Sequence, residues 1–126
     1  MSARPSTPEI GQTMPAPTEI PWTHADTVTI RDLTGHGERI VGDPGELAEL
    51  ARLLEVDRAG AGFVCMCWGD VEFLVRDPSR RTLAVLRLHL GSGLDWSAWG
   101  GQLPLLRAEA LTRWLTERGL CAAPRP

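Results

Sequence analysis

Lysine, asparagine and tyrosine are missing from this chain of 126 residues, and two of these absences exclude particular functions. Without lysine, the chain has neither the phosphate-binding loop of P-loop nucleotide-binding proteins nor the amine needed for Schiff-base chemistry. Without asparagine, it has no N-glycosylation site. All 13 basic residues are therefore arginine, which together with many glycines, alanines and prolines is typical of a GC-rich bacterial genome.

The chain also lacks an excess of positive charge and a long apolar run. Its net charge is −3 and its pI is about 5.6. Sequence-independent nucleic-acid binding needs a concentrated basic surface that displaces counterions, so we expect no nucleic-acid partner. No stretch resembles a signal peptide or approaches the length of a membrane span. Three cysteines, an odd number, favour a reduced protein in the cytoplasm.

The composition that is present predicts one globular domain. Hydrophobic residues make up 43% of the chain, enough for a core without disulfide bonds. Residues 1–21 carry five prolines among small polar residues and are predicted to be a disordered tail. We therefore expect a tail at 1–21, a single α+β domain at 22–121, and a second short tail at 122–126.

The stretch 62–99 predicts the centre of a sheet. Residues 63–68 are β-branched, aromatic or sulfur-bearing, and the two-residue break Gly69-Asp70 separates them from Val71–Arg76, which is a hairpin signal. The turn residues Asp77-Pro78-Ser79-Arg80 then lead to residues 82–90. The pattern predicts an antiparallel meander of three strands.

Local signals predict the remaining elements. Strands are expected at 27–31, as an edge strand, and at 38–41, 94–96 and 102–105. The sequence Asp43-Pro44-Gly45-Glu46 is a capping box that begins a helix, and a last helix is predicted over 107–118 with Gly119 at its C-terminal cap. The fold class is therefore α+β: a single antiparallel sheet of four to six strands, arranged as a meander, with two amphipathic helices packed on one face.

Alternation along the central strands sorts their side chains between the two faces of the sheet. One face is wholly apolar and includes Val71, Phe73 and Val75. The opposite face is mixed, and its members are Cys65, Cys67, Glu72, Leu74, Leu83, Val85, Arg87 and His89. Glu72, Arg87 and His89 beside a thiol could carry acid–base or nucleophilic chemistry, but a cross-strand ion pair and a surface histidine account for them more simply.

Cys65-Met66-Cys67 is an unusual local pattern. On a strand, both thiols point to one face with their Cα atoms about 7 Å apart, which suits two ligands of one metal better than a disulfide. His89 is the third residue of this alternative site. No second cysteine pair accompanies it, and cysteines in strands are mostly small core residues.

The loop Asp95-Trp96-Ser97-Ala98-Trp99 is the best candidate for recognition. Tryptophan is enriched at the centres of protein interfaces, and the glycines that follow allow close approach of a partner. Burial against the core is the other reading; we favour it for Trp96 and leave it open for Trp99.

Four short sequences also resemble a group of small uncharacterised proteins from actinobacterial-type genomes. They are Cys-Met-Cys-Trp-Gly at 65–69, Leu-His-Leu-Gly at 88–91, the tryptophans at 94–99, and the Trp-Leu helix ending at Gly119. The resemblance implies a soluble, intracellular, compact protein and no residue roles.

Together these patterns favour a non-enzymatic protein-interaction module of the immunity or accessory type, with no cofactor. Its expected partner is another protein, and a homo-oligomer is compatible with the sequence. The predicted binding residues are Trp96, Trp99, Asp95, Glu72, Arg87 and His89. The alternative is a thiol or metal site on Cys65, Cys67 and His89.

Overall fold

A six-stranded antiparallel sheet and two α-helices make up the architecture in the computed structural model, which describes residues 19–35, 37–59, 70–89 and 93–120. The strands are β1 (Thr27–Asp32), β2 (Gly37–Val41), β3 (Val71–Arg76), β4 (Thr82–His89), β5 (Gly93–Trp96) and β6 (Gly101–Leu103). The helices are α1 (Pro44–Leu53) and α2 (Ala108–Glu117), and short 3₁₀ helices span Trp22–His24 and Ser97–Trp99. The predicted fold class is confirmed. Within these ranges, no helix combines the length and apolar character needed to cross a membrane.

The order of the strands is β2-β1-β3-β4-β5-β6. Residues 63–68, the predicted hairpin partner of β3, lie outside the described residues. The structure instead has β1 on one side of β3 and β4 on the other, each over the full length of β3. The prediction that β1 is an edge strand is wrong, since β1 lies between β2 and β3. The physical reason is burial: in this register, Val28 and Ile30 of β1 lie opposite Val75 and Phe73 of β3.

Helix α1 begins where the capping residues predicted it. The Asp43 carboxylate accepts a hydrogen bond from the backbone N–H of Glu46 at 2.9 Å, and Pro44 occupies the first helical position. The second half of the predicted capping box does not form. Instead of reaching back to Asp43, the Glu46 carboxylate accepts hydrogen bonds from Arg39 at 3.3 Å and from Arg118 at 2.9 Å. Glu46 therefore joins β2 and the residue after α2 to the start of α1.

Helix α2 ends in a Schellman motif centred on Gly119. The backbone N–H of Leu120 bonds to the carbonyl of Leu115 at 2.9 Å, and that of Gly119 bonds to the carbonyl of Thr116 at 3.0 Å. Gly119 has a φ of +71°, a left-handed conformation that glycine adopts without steric cost. The predicted C-terminal cap is confirmed.

One cluster of buried apolar side chains joins the sheet to both helices. Leu50 and Leu53 of α1, and Leu111, Trp114 and Leu115 of α2, pack with the core-facing residues of the strands. The core-facing members of the central strands are those predicted from alternation: Val71, Phe73, Val75, Ala84, Leu86 and Leu88. Both helices therefore lie on one face of the sheet, and among the described elements no helix covers the other face.

Candidate binding surface

A row of polar side chains crosses all six strands on the face opposite the helices. Directly opposed residues of antiparallel strands share a face, so the residue pairs across neighbouring strands show which side chains belong to the row. In strand order β2, β1, β3, β4, β5 and β6, its members are Glu38, Arg31, Glu72, Arg87, Asp95 and Gln102. The charge alternates at every step from Glu38 to Asp95.

Ion pairs link the first four members of this row. Arg31 Nε lies 3.4 Å from the Glu38 carboxylate, and Arg31 Nη1 lies 3.5 Å from Glu72 Oε1. Glu72 Oε2 accepts a hydrogen bond from Arg87 Nη2 at 3.2 Å. The side chain of Glu72 is only 13% exposed, whereas those of Arg31, Glu38 and Arg87 are 51%, 52% and 43% exposed. Three exposed charges therefore surround a largely covered one.

A second row, which we call the apolar row although it includes Thr29, lies beside the charged one, two residues away from it on each strand. Its members in β2, β1, β3 and β4 are Ile40, Thr29, Leu74 and Val85. Ile40 is 64% exposed and Val85 is 39% exposed, which makes them two of the few large hydrophobic side chains on the described surface. We call these two rows, from β2 to β4, the β2–β4 face: Glu38, Arg31, Glu72, Arg87, Ile40, Thr29, Leu74 and Val85.

The β5–β6 end of the same face is not open. Gln102 is 1% exposed and His89 is 5% exposed, although both side chains belong to the face opposite the core. Neither the Nε2 nor the Oε1 atom of Gln102 has a hydrogen-bond partner in the described part of the chain. The accessible part of the face therefore ends near β4, with Asp95 half-buried at its border.

The structure brings together three of the six predicted binding residues. Glu72, Arg87 and Asp95 are consecutive members of the charged row. His89 shares their face but is buried. Trp96 points to the core face and is 6% exposed, so it has little surface to offer a partner.

Trp99 belongs to a different surface, on the helix side of the sheet. Its ring meets Trp96 edge to face with centroids 5.4 Å apart, and the guanidinium of Arg58 lies 5.9 Å from its ring centre. It lines a groove of about 630 Å³ together with Trp22 and Leu106. The α1 residues Ala48 and Ala51 also line this groove, together with Leu54, the residue that follows α1. The predicted tryptophan loop and the mixed face are therefore two surfaces, not one.

Sequence reasoning missed four residues of the β2–β4 face: Arg31, Glu38, Ile40 and Thr29. Alternation predicted strands around all of them. What the sequence could not supply was the neighbour of β3, since the hairpin signal placed residues 63–68 there instead of β1. The charge pairing of Arg31 with Glu72 is a signal that favours the observed register, because opposite charges on directly opposed positions stabilise a strand pair.

The alternative thiol or metal site rests on Cys65 and Cys67, which lie outside the described residues. Of its three members, only His89 is described. Across residues 19–35, 37–59, 70–89 and 93–120, no group of three or more histidine, cysteine, aspartate or glutamate residues is arranged to hold a metal ion.

Comparison with known proteins adds no residue roles. Searches against protein-family models, curated proteins and solved structures returned no match to this chain. Function is therefore inferred from the geometry of the two surfaces.

Proposed function

We propose that this chain is a non-enzymatic protein-interaction module that binds its partner through the β2–β4 face. The observation that carries the proposal is the row of alternating charges beside the exposed Ile40 and Val85. Exposed apolar side chains beside organised charges are typical of protein interfaces, where the apolar part supplies burial and the charges supply specificity.

The ion pairs support recognition more than stability. Pairs between exposed side chains contribute only about 0–1 kcal/mol to folding, because solvent screens them. The row of such pairs nevertheless holds four charges in a defined order on the sheet. A partner with the complementary order gains specificity from the whole row, whereas a partner with a shifted order meets like charges.

The groove at Trp99 is a second contact surface within the same proposed function. Trp22, Trp99 and Leu106 give it an aromatic and apolar lining, and Arg52 and Glu55 add charge at its edge. Tryptophan is enriched among the residues that contribute most of the binding energy at protein interfaces. The Trp99→Ala variant separates this surface from the β2–β4 face.

Quantitative affinity capture from cells that express the chain naturally tests the proposal. The variant Arg31→Glu reverses one exposed charge of the row, and Arg113→Glu makes the same charge change on the exposed side of α2. We expect proteins captured by the wild type to be retained by Arg113→Glu and reduced at least about tenfold by Arg31→Glu, because the latter places like charge against the partner.

Equal capture by the wild type and Arg31→Glu would contradict the role of the sheet face. Unchanged capture by Trp99→Ala would remove the groove from the hypothesis and leave the face as the contact surface. Thermal unfolding of each variant shows whether a loss of binding reflects a loss of folding.

A further inference from the structure

We propose that the β2–β4 face binds a second copy of this chain, face to face, about a two-fold axis that runs parallel to the strands and passes between β1 and β3. The inference rests on the proposed function, since it names the partner of the same surface. Two-fold dimers are the commonest protein assemblies, and their interface must be complementary to itself.

The charged row has this self-complementarity. A two-fold axis between β1 and β3 reverses the order of the strands, so that β1 faces β3 of the other copy and β2 faces β4. Arg31 then meets Glu72 of the second copy, and Glu38 meets Arg87. Each contact occurs twice, and all four pair opposite charges.

Other two-fold axes in the plane of the face do not have this property. An axis along the row stacks each strand on itself, so that Glu72 meets Glu72 and Arg31 meets Arg31. An axis that coincides with β3 also places Glu72 on Glu72, and it places Arg31 on Arg87. Like charges directly opposed across an interface are strongly unfavourable. The alternation therefore selects axes that pass between two strands.

Among the axes that pass between two strands, the apolar row favours the one between β1 and β3. With the axis between β1 and β3, Ile40 of one copy meets Val85 of the other, and Thr29 meets Leu74. The two exposed apolar side chains of the face are then buried against each other. An axis between β3 and β4 instead directs Ile40 toward the β5–β6 end, where Gln102 is already buried.

The size of this face predicts a weak, concentration-dependent dimer. These four strands lie about 4.8 Å apart and pair over five to six residues, so they present a footprint of roughly 350 Å² per copy. The two copies together would cover roughly 700 Å², less than the roughly 1,200–2,000 Å² of stable interfaces and in the range of transient contacts. We therefore expect a dissociation constant of roughly 10–100 µM.

Charge exchange between two variants of the full chain tests the arrangement. In Glu38→Arg, the introduced guanidinium of each copy meets Arg87 of the other, and in Arg87→Glu, the introduced carboxylate of each copy meets Glu38 of the other. Mixing the two variants restores opposite charges at both contacts. Within one chain, Glu38 and Arg87 are three strand spacings apart, about 14 Å, which is too far for an ion pair. Recovery of association on mixing can therefore come only from contacts between the two copies.

Sedimentation velocity from about 5 to about 500 µM, a range that brackets the expected dissociation constant, measures the outcome. We expect wild type and the control Arg113→Glu to dimerise, each single variant to dimerise at least about tenfold more weakly, and an equimolar mixture to recover wild-type association. Native mass spectrometry of the mixture should show a dimer that contains one copy of each variant.

A second pair of variants is needed because Arg87→Glu could misfold, since its introduced carboxylate would lie between Glu72 and Asp95. Ile40→Lys and Val85→Glu change only exposed side chains. Each alone places a charge against an apolar side chain of the other copy. Their mixture instead joins the introduced ammonium to the introduced carboxylate at one contact and leaves Ile40 against Val85 at the other. We expect weakened association alone and recovery on mixing.

A wild-type chain that remains monomeric at about 500 µM, well above the expected dissociation constant, overturns the inference, as does a dimer that neither mixture restores. Edge-to-edge pairing of β2 would leave Arg87→Glu and Val85→Glu dimeric, which also overturns it. These results are separable from the proposed function. If the chain is monomeric yet Arg31→Glu loses a captured protein that Arg113→Glu retains, the interaction module stands and its partner is a different protein.

Discussion

Gln102 combines near-complete burial with a side-chain amide that has no hydrogen-bond partner in the described part of the sheet. Burying an amide without a partner costs about 1–3 kcal/mol. A sequence-based interpretation has no means of finding this residue, because the strand Gly101–Leu103 is short and glutamine is usually exposed. Its place in the charged row is visible only once β5 and β6 are paired, with Asp95 directly opposite Gln102.

Replacing Gln102 with methionine is therefore expected to stabilise the fold. Methionine is similar in length and volume but has no amide to desolvate, so the free energy of unfolding should rise by about 1 kcal/mol. Urea unfolding followed by tryptophan fluorescence measures the change. Gln102→Glu is the matched control and should lower stability, because it buries a charge beside Asp95. A destabilised methionine variant would show that the amide has a partner after all.

Gly93 allows β5 and β6 to approach each other closely. A Cβ atom at this position would lie 2.5 Å from the carbonyl oxygen of Leu103, which is a backbone atom and cannot rotate away. We expect Gly93→Ala to lower the free energy of unfolding by about 1–3 kcal/mol through this overlap.

Gly42→Ala provides the comparison for Gly93→Ala, because its added Cβ would meet only the methyl carbon of Thr27 at 3.8 Å, an ordinary contact. Its stability should stay within about 0.5 kcal/mol of wild type. Equal effects of the two substitutions in urea unfolding would argue against the close approach of β5 and β6.

At the scale of elements, the N-terminal cap of α1 is a local device whose effect is testable. The Asp43 carboxylate accepts a hydrogen bond from the Glu46 N–H at 2.9 Å. Asp43→Ala should lower the free energy of unfolding by about 1 kcal/mol. Asp43→Asn should keep most of the cap's contribution to stability, because the asparagine oxygen can accept the same hydrogen bond. Chemical unfolding monitored by far-ultraviolet circular dichroism compares the two. An asparagine variant as unstable as the alanine variant would assign the effect to the charge rather than to the cap.

Elements governed by neighbouring residues were predicted well. The cap at Asp43, the turn before β4 and the glycine after α2 act over a few residues, so the sequence contains the whole signal. The neighbours of β3 were predicted wrongly on one side. A two-residue break at Gly69-Asp70 favours a hairpin locally, but burial of Val28 and Ile30 against β3 involves residues more than 40 positions apart.

At the scale of the whole molecule, the continuity of the core predicts cooperative behaviour. The buried side chains of the sheet and of both helices form one cluster, and Trp96 and Trp114 belong to it. We expect a single unfolding transition with the same midpoint by tryptophan fluorescence, which reports the core, and by far-ultraviolet circular dichroism, which reports the backbone. Midpoints that differ by more than the experimental error would mean that a helix or the β5–β6 end unfolds separately.

The sequence by itself determined the class of fold, the start of α1, the C-terminal cap of α2, the central hairpin and the inward set of side chains, because periodicity and capping are properties of adjacent residues. It also identified Glu72, Arg87 and Asp95 as polar residues of interest. Only the tertiary structure decided that β1 lies beside β3, and with it that Arg31 and Glu38 extend the charged row. Strand neighbours are chosen by the burial of distant segments, and a charge pattern across strands exists only after that choice.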